Sequence, residues 1–286
     1  MPDRSEWSLT TPQKLTFDEP VSALNVSVVN GTVNVVGTDG GPARLELSAL
    51  QGPPLRVRLD EGTLRVGYDD LTWQSFLKWL DRKGWQRTVE VTLTVPCGTR
   101  VEVGTVGAAA VVSGITAPAE LRGVTGDTTL VGLGGPVSAQ TVSGALEAQA
   151  LGGDLIFNSV SGDLTLVEGT NGTVRAKTVN GNVLVDLSAT GGALSLEVST
   201  VSGDIAIRLP HPVDADVEAS TATGGASCAF EDLRVSGQWG AKRITGRLGS
   251  GGGSLKATTA SGTVAVLRRP PSPEEPADAP VNGKVL

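Results

Sequence analysis

The chain has 286 residues, 38 of them glycine, with 3% aromatic and 19% charged residues. The low aromatic share suits a narrow aliphatic core better than a thick sandwich core. The formal net charge of −7 argues against nucleic acid as a partner. Two cysteines, Cys97 and Cys228, are too few and too far apart for a disulfide framework; both are expected to be reduced and partly buried.

Residues 1–20 are polar and carry Pro2, Pro12 and Pro20, which predicts an irregular lead-in. No apolar run follows a basic start, as a signal peptide requires, and no apolar stretch approaches the ~20 residues of a membrane-spanning helix. The expected location is therefore cytoplasmic, with peripheral attachment to a membrane as the alternative. Residues 21–100 read as β-rich: V-N-G-T-V-N-V at 29–35, then alternating runs at Arg44–Ala49, Leu55–Leu59, Thr63–Tyr68 and Val89–Val95, separated by Gly/Pro turns. This section is less periodic than the middle of the chain and fits a cap over an open end.

One segment, Leu71–Arg87, breaks the β pattern. Trp73, Phe76, Leu77 and Leu80 fall at i, i+3, i+4 and i+7, which predicts a short amphipathic helix near 71–84. The segment also holds Trp79 and Trp85, and it is basic, with Lys78, Arg82, Lys83 and Arg87 against Asp81. Such a helix caps the body with its apolar face, lies in an anionic membrane interface, or docks on a protein partner.

From residue 101 a repeat starts up, and over 124–209 it is unmistakable. Copies begin at Val124 (V-T-G-D-T-T-L), Val142 (V-S-G-A-L-E-A), Val160 (V-S-G-D-L-T-L), Val179 (V-N-G-N-V-L-V) and Val201 (V-S-G-D-I-A-I), 18, 18, 19 and 22 residues apart. Weaker copies sit midway, at Leu133 with Gly135, Leu151 with Gly153 and Thr170 with Gly172. A period near 18 with a half-period echo marks a solenoid. Strand parity places Val160, Gly162, Leu164 and Leu166 inward, and Ser161, Asp163 and Thr165 toward water. The repeat glycines Gly126, Gly144, Gly162, Gly181 and Gly203 are expected at inward corners, where the chain bends.

After Pro210-His211-Pro212 the alternation resumes at Val213–Ala219. Residues 228–247, with Trp239, read as an excursion or lateral hairpin, and a final coil ends in A-S-G-T-V-A-V at 260–266. About nine coils would make a rod roughly 40 Å long. The tail 268–286 is proline-rich with alternating charges and is expected to be disordered.

The V-S-G-D-[LI]-x-[LI] coils, preceded by V-T-L-T-V-P-C-G-T-R-V-E-V at 91–103, resemble the DUF4097 family of adhesin-like β-strand-repeat proteins, common in bacteria including actinobacteria. The resemblance covers most of residues 20–267. It implies an all-β fold: a right-handed parallel β-helix or β-solenoid with coils of about 18–19 residues over 101–267, a β-rich N-terminal cap and one short amphipathic helix. It carries no catalytic residues.

The repeat column that holds Asp127, Ala145, Asp163, Asn182 and Asp204 is the place where chemistry could reside. Stacked carboxylates can bind calcium or form the acid pair of a glycan-cleaving solenoid. Here one carboxylate per coil, interrupted by Ala145, reads instead as a turn position, and calcium is not expected. His211 is the sole histidine, so no His/Cys metal set can be assembled, and Gly249–Gly253 lacks the Lys-Ser/Thr of a phosphate loop. The expectation is a non-enzymatic scaffold or adhesin-like interaction module, without cofactor, whose partner is another protein or the same chain. The alternatives are a peripheral membrane or envelope-stress-linked component contacting anionic lipid through 71–87, and a glycan-binding or glycan-cleaving solenoid.

Overall fold

The computed structural model describes residues 5–68, 87–170, 173–188 and 193–270, and among them every regular element is a β-strand. The N-terminal part supplies β1 (Ser5–Leu9), β2 (Gln13–Phe17), β3 (Ala23–Val28), β4 (Asn30–Thr38), β5 (Ala43–Gln51), β6 (Leu55–Asp60), β7 (Thr63–Gly67) and β8 (Thr88–Pro96). The periodic middle comprises β9 (Arg100–Thr105), β10 (Ala109–Ser113), β11 (Ala119–Gly123), β12 (Thr128–Val131), β13 (Val137–Ser143), β14 (Leu146–Gln149), β15 (Leu155–Ser161), β16 (Leu164–Gly169), β17 (Thr173–Lys177), β18 (Val183–Leu187), β19 (Ser195–Ser202) and β20 (Ile205–Leu209). The C-terminal part holds β21 (Ala215–Thr223), β22 (Ala226–Cys228), β23 (Leu233–Gln238), β24 (Ala241–Leu248), β25 (Ser254–Ser261) and β26 (Val264–Arg268).

Between β9 and β20 odd strands enter one sheet and even strands the other, and each pairs in parallel with its counterpart one coil on. This is a two-sided β-solenoid. Alternation decides the faces: Val101, Ala119, Val137, Leu155, Val174 and Leu196 form one buried column in register, and Val103, Leu121, Ala139, Phe157, Ala176 and Val198 the next. Phe157, fully buried, is flanked in its column by Ala139 and Ala176, so small neighbours make room for the ring.

The corner is where the repeat is most constrained. A Cβ on Gly126, Gly144, Gly162, Gly181 or Gly203 would stand 1.9–2.5 Å from the carbonyl oxygen of the residue one coil below. Of these five only Gly144 and Gly203 have left-handed φ values, so bending alone does not explain the motif. The common requirement is close approach of backbone to backbone.

The same corner corrects the inward placement of the repeat's leading valine. Val142, Val160, Val179 and Val201 are 46%, 49%, 44% and 54% exposed. The inward residue is the hydroxyl before each valine: Thr178 and Thr200 are buried, and Thr200 Oγ1 donates to the Gly181 carbonyl at 3.2 Å. Thr200 and Ile205 both face inward although they are an odd number of residues apart, so the corner resets the parity that a continuous strand would keep.

Both ends depart from simple sequential stacking. The stack reaches back to β3 and β4, which pair in parallel with β9 and β10 inside the N-terminal section. Onto them are laid β7 and β8, in parallel, and then antiparallel β6, β5, β1 and β2. Residues 5–17 are therefore two edge strands and not an irregular lead-in. Their polar residues face outward, while Leu9 and Phe17 are buried and Trp7 meets Phe17 edge-on with ring centroids 5.3 Å apart. At the other end β25 lies between β19 and β21, and β26 between β20 and β22. The hairpin β23–β24 prolongs only the odd-strand sheet. The predicted helix near 71–84 lies outside the described residues. At the margins of that segment, the Arg87 guanidinium sits over the Tyr68 ring at 5.0 Å.

Replacing Gly162 by Ala is expected to destabilise the chain by about 1–3 kcal/mol in urea unfolding, because the Gly144 carbonyl is backbone and cannot yield cheaply. Gly98, around which a Cβ would meet nothing, should tolerate the same change within about 0.5 kcal/mol. At the N-terminal edge, hydrogen bonds from Arg58 and Arg56 hold the Glu6 carboxyl below its ordinary 4.5. A depressed carboxyl stabilises the pairing of β1 above its unfolded value and loses that contribution as pH falls through the folded one. The Trp7 indole NMR signal should therefore report loosening of β1 as pH drops below about 4.5, before the buried strands respond.

Candidate functional site

The carboxylates of the repeat column are engaged in the fold. Asp127 Oδ1 accepts the backbone N–H of Ala145 at 2.9 Å, and Asp163 Oδ1 that of Asn182 at 2.7 Å. Asn182 Oδ1 accepts the N–H of Asp204 at 2.9 Å, and Asp204 Oδ1 that of Thr263 at 2.7 Å. Each side chain thus stitches its own coil to the equivalent residue of the next. The sequence expectation of a turn residue was too weak: the position is an inter-coil acceptor, and asparagine serves as well as aspartate because only an oxygen is used. Ala145 leaves one rung empty. Among the described residues no three His, Cys, Asp or Glu side chains are grouped to share an ion.

The charges on the outer face of the odd-strand sheet pair with each other. Arg122 bonds Glu102 and Glu120, Lys177 lies 3.5 Å from Glu197, Arg243 meets Glu218 at 2.6 Å, and Arg247 meets Asp216 at 2.7 Å. On the opposite sheet the buried Asp186 carboxylate takes Arg208 on one oxygen and Arg269 on the other, both at 3.1 Å. That cluster spans three adjacent coils, 183–187, 205–209 and 264–269.

What remains unpartnered is an edge. The exposed valines Val142, Val160, Val179 and Val201 occupy the same place in successive coils, about 4.8 Å apart, and form a straight apolar rim along the corner. Uncharged Ser143, Ser161, Asn180 and Ser202 come directly after them. The β24 register places Lys242 opposite Thr221, so the β23–β24 turn lies at this same corner. Its apex is Trp239, 102% exposed. Trp239 and Gly240 both have positive φ, 54° and 91°, the pattern of a type I′ turn, where Asn or Gly is the usual first residue. A bulky residue there is strained by about 1–3 kcal/mol. A shallow depression of about 370 Å³ beside it is lined by Val235, Gln238, Trp239 and Lys242, among others.

Sequence reasoning missed the rim because it treated valine and glycine as one strand. The signal was present in the residue before each valine: a hydroxyl at 141, 159, 178 and 200 in place of an aliphatic residue. Of the predicted contact residues, Trp73, Phe76, Leu77, Lys78, Trp79, Leu80, Arg82, Lys83 and Trp85 lie outside the described residues. Cys97 and Cys228 are both free and half-buried. No helix among the described residues is long and apolar enough to cross a membrane. Filling the empty rung with Ala145→Asn should stabilise the chain by about 0.5–1.5 kcal/mol, and Asp163→Ala should cost a similar amount, both read by urea unfolding.

None of the curated proteins matches the chain. Among solved structures, a candidate cell adhesion protein from Clostridium sporogenes aligns with 94% of this chain and all of its own, at 10% identity and a TM-score of 0.26. A candidate lipid binding protein from Parabacteroides distasonis aligns with 91% of this chain and 97% of its own, at 10% identity and a TM-score of 0.40. The Toastrack DUF4097 family profile matches residues 22–267, the whole span from the first coil of the stack to the last. With its coils, its glycine corners and that match, the chain belongs to the Toastrack DUF4097 family.

Proposed function

We propose that this chain is a non-catalytic scaffold, a rigid rod that binds protein partners, further copies of itself included, along its valine rim. One observation carries the reading: four β-branched residues stand about half exposed in a straight row, ending near a fully exposed tryptophan at a strained turn. Exposed apolar residues in a contiguous strip mark contact surfaces, and strained positions persist where function holds them. The carboxylates that a catalytic or calcium-binding reading would need are committed to inter-coil hydrogen bonds. The coils are taken to wind right-handedly, as parallel crossovers do.

The alternative contact, an anionic lipid surface met through 71–87, makes a different demand. It predicts binding that weakens with salt and is indifferent to the rim.

A variant combining Val160→Lys, Val179→Lys and Trp239→Ala should fold normally, since surface changes cost little. Its self-association in sedimentation velocity should fall at least tenfold relative to the unmodified chain. Unchanged association would refute the rim as the contact. Flotation of both proteins on anionic vesicles, fading with salt, would transfer the function to 71–87.

A further inference from the structure

The stacking order at the C-terminal end is not the chain order. Five residues, 210–214, join β20 to β21, as many as join β12 to β13 or β14 to β15. Chain length therefore allows coil 215–228 to stack directly on coil 195–209. Coil 254–268 takes that layer instead, paired in parallel on both sides.

The two coils are near equivalents. Val217, Ala219, Thr221 and Ala226 stand in register with Leu255, Ala257, Thr259 and Val264. Each has a corner glycine: a Cβ on Gly262 would meet the Gly203 carbonyl at 2.1 Å, and one on Gly224 the Gly262 carbonyl at 2.0 Å. Either coil carries what the layer above coil 195–209 requires.

The inserted coil is joined to the body by Gly249-Ser250-Gly251-Gly252-Gly253, which is largely exposed. This linker leaves β24 on one side of β21 and enters β25 on the other, so it crosses two strand spacings, about 9.6 Å. On its far side the coil is latched by Arg269, whose N–H donates to the Leu209 carbonyl and whose guanidinium reaches Asp186.

We propose that coil 254–268 is exchangeable: it inserts into the equivalent slot of a second copy, and the two copies become a reciprocally swapped dimer. A glycine hinge, a self-contained terminal coil and a slot identical in both copies are the elements such an exchange needs. The donor need not be left with a gap, because its own coil 215–228 fits the vacated layer until the partner's coil arrives. This inference rests on the reading of the rod as a self-associating scaffold and adds a second, topological mode to the rim contact.

The test uses the full chain with Cys97→Ser and Cys228→Ser, in two batches carrying Ser199→Cys or Thr258→Cys. These positions are neighbours across β19 and β25, within disulfide reach. Both in one chain should form the internal disulfide, which checks the geometry. Batches unfolded, mixed at high concentration, refolded and oxidised should give a covalent dimer containing one copy of each. Batches mixed after folding should give at least tenfold less.

Deleting Gly251–Gly253 leaves too little chain to cross β21 and should raise the dimer fraction at least tenfold. Absence of the mixed covalent dimer after joint refolding, with the internal disulfide forming normally, overturns the proposal. So does a folded, monomeric shortened chain. Loss of rim association with the mixed dimer retained would count against the scaffold reading alone, and the reverse against exchange alone.

Discussion

The contact on which this fold depends contains no side chain. At each corner the backbone of one coil lies against the carbonyl of the coil below, at a distance that leaves no room for a Cβ. That approach sets the layer spacing, and the spacing brings the rest into register. Aliphatic columns stack at strand separation, the Asp/Asn oxygens reach the next coil's N–H, and the corner threonines turn inward to carbonyls across the corner. The turn also throws the next valine outward. The rim is thus a by-product of the corner geometry that the fold cannot avoid, and it becomes available as a binding edge.

A motif that specifies stacking locally does not specify which segment comes next. Any coil with an inward hydroxyl, a corner glycine and two aliphatic positions fits any layer. The ends of the rod use this freedom. The first coil in sequence, β3 with β4, is covered by strands from later in the chain, and the last coil lies beneath one that precedes it. Covering an end with antiparallel strands closes a solenoid whose open layer would otherwise template further pairing. The two ends are closed differently. The N-terminal strands cover both sheets, with Trp7 against Phe17, whereas the C-terminal hairpin extends one sheet only and leaves Trp239 in solvent.

Much of this was legible in the sequence. The 18-residue period, the corner glycines and the alternation at Leu164/Leu166 or Ile205/Ile207 predict the solenoid and its core columns, and the family resemblance agrees with them. The leading valines were misplaced because period-two reasoning assumes a continuous strand, and a glycine corner interrupts it. Residues 5–17 hid two strands because an edge strand with one wet face, interrupted by Pro12, has the composition of a loop. The order of the C-terminal layers was not legible at all: coils 215–228 and 254–268 carry the same signature, and only long-range packing selects between them. The role of Asp127, Asp163 and Asp204 was half visible, since spacing placed them in one column but did not reveal that each bonds the coil beyond it.

The rod is a device for placing one weakly apolar edge and one tryptophan at fixed positions on a stiff body, with its reactive groups used internally. Its construction rests on one central claim, that stacking obeys the corner motif and not the order of the chain. Interstrand NOEs around the Ile205 amide test that claim directly in an isotopically labelled sample. Contacts are predicted from Ile205 N–H to Thr263 and Val264, with Val264 in turn contacting Gly225 and Ala226. Direct contacts between Ile205 and Gly225 or Ala226 would mean that the coils stack in sequence, and would contradict it.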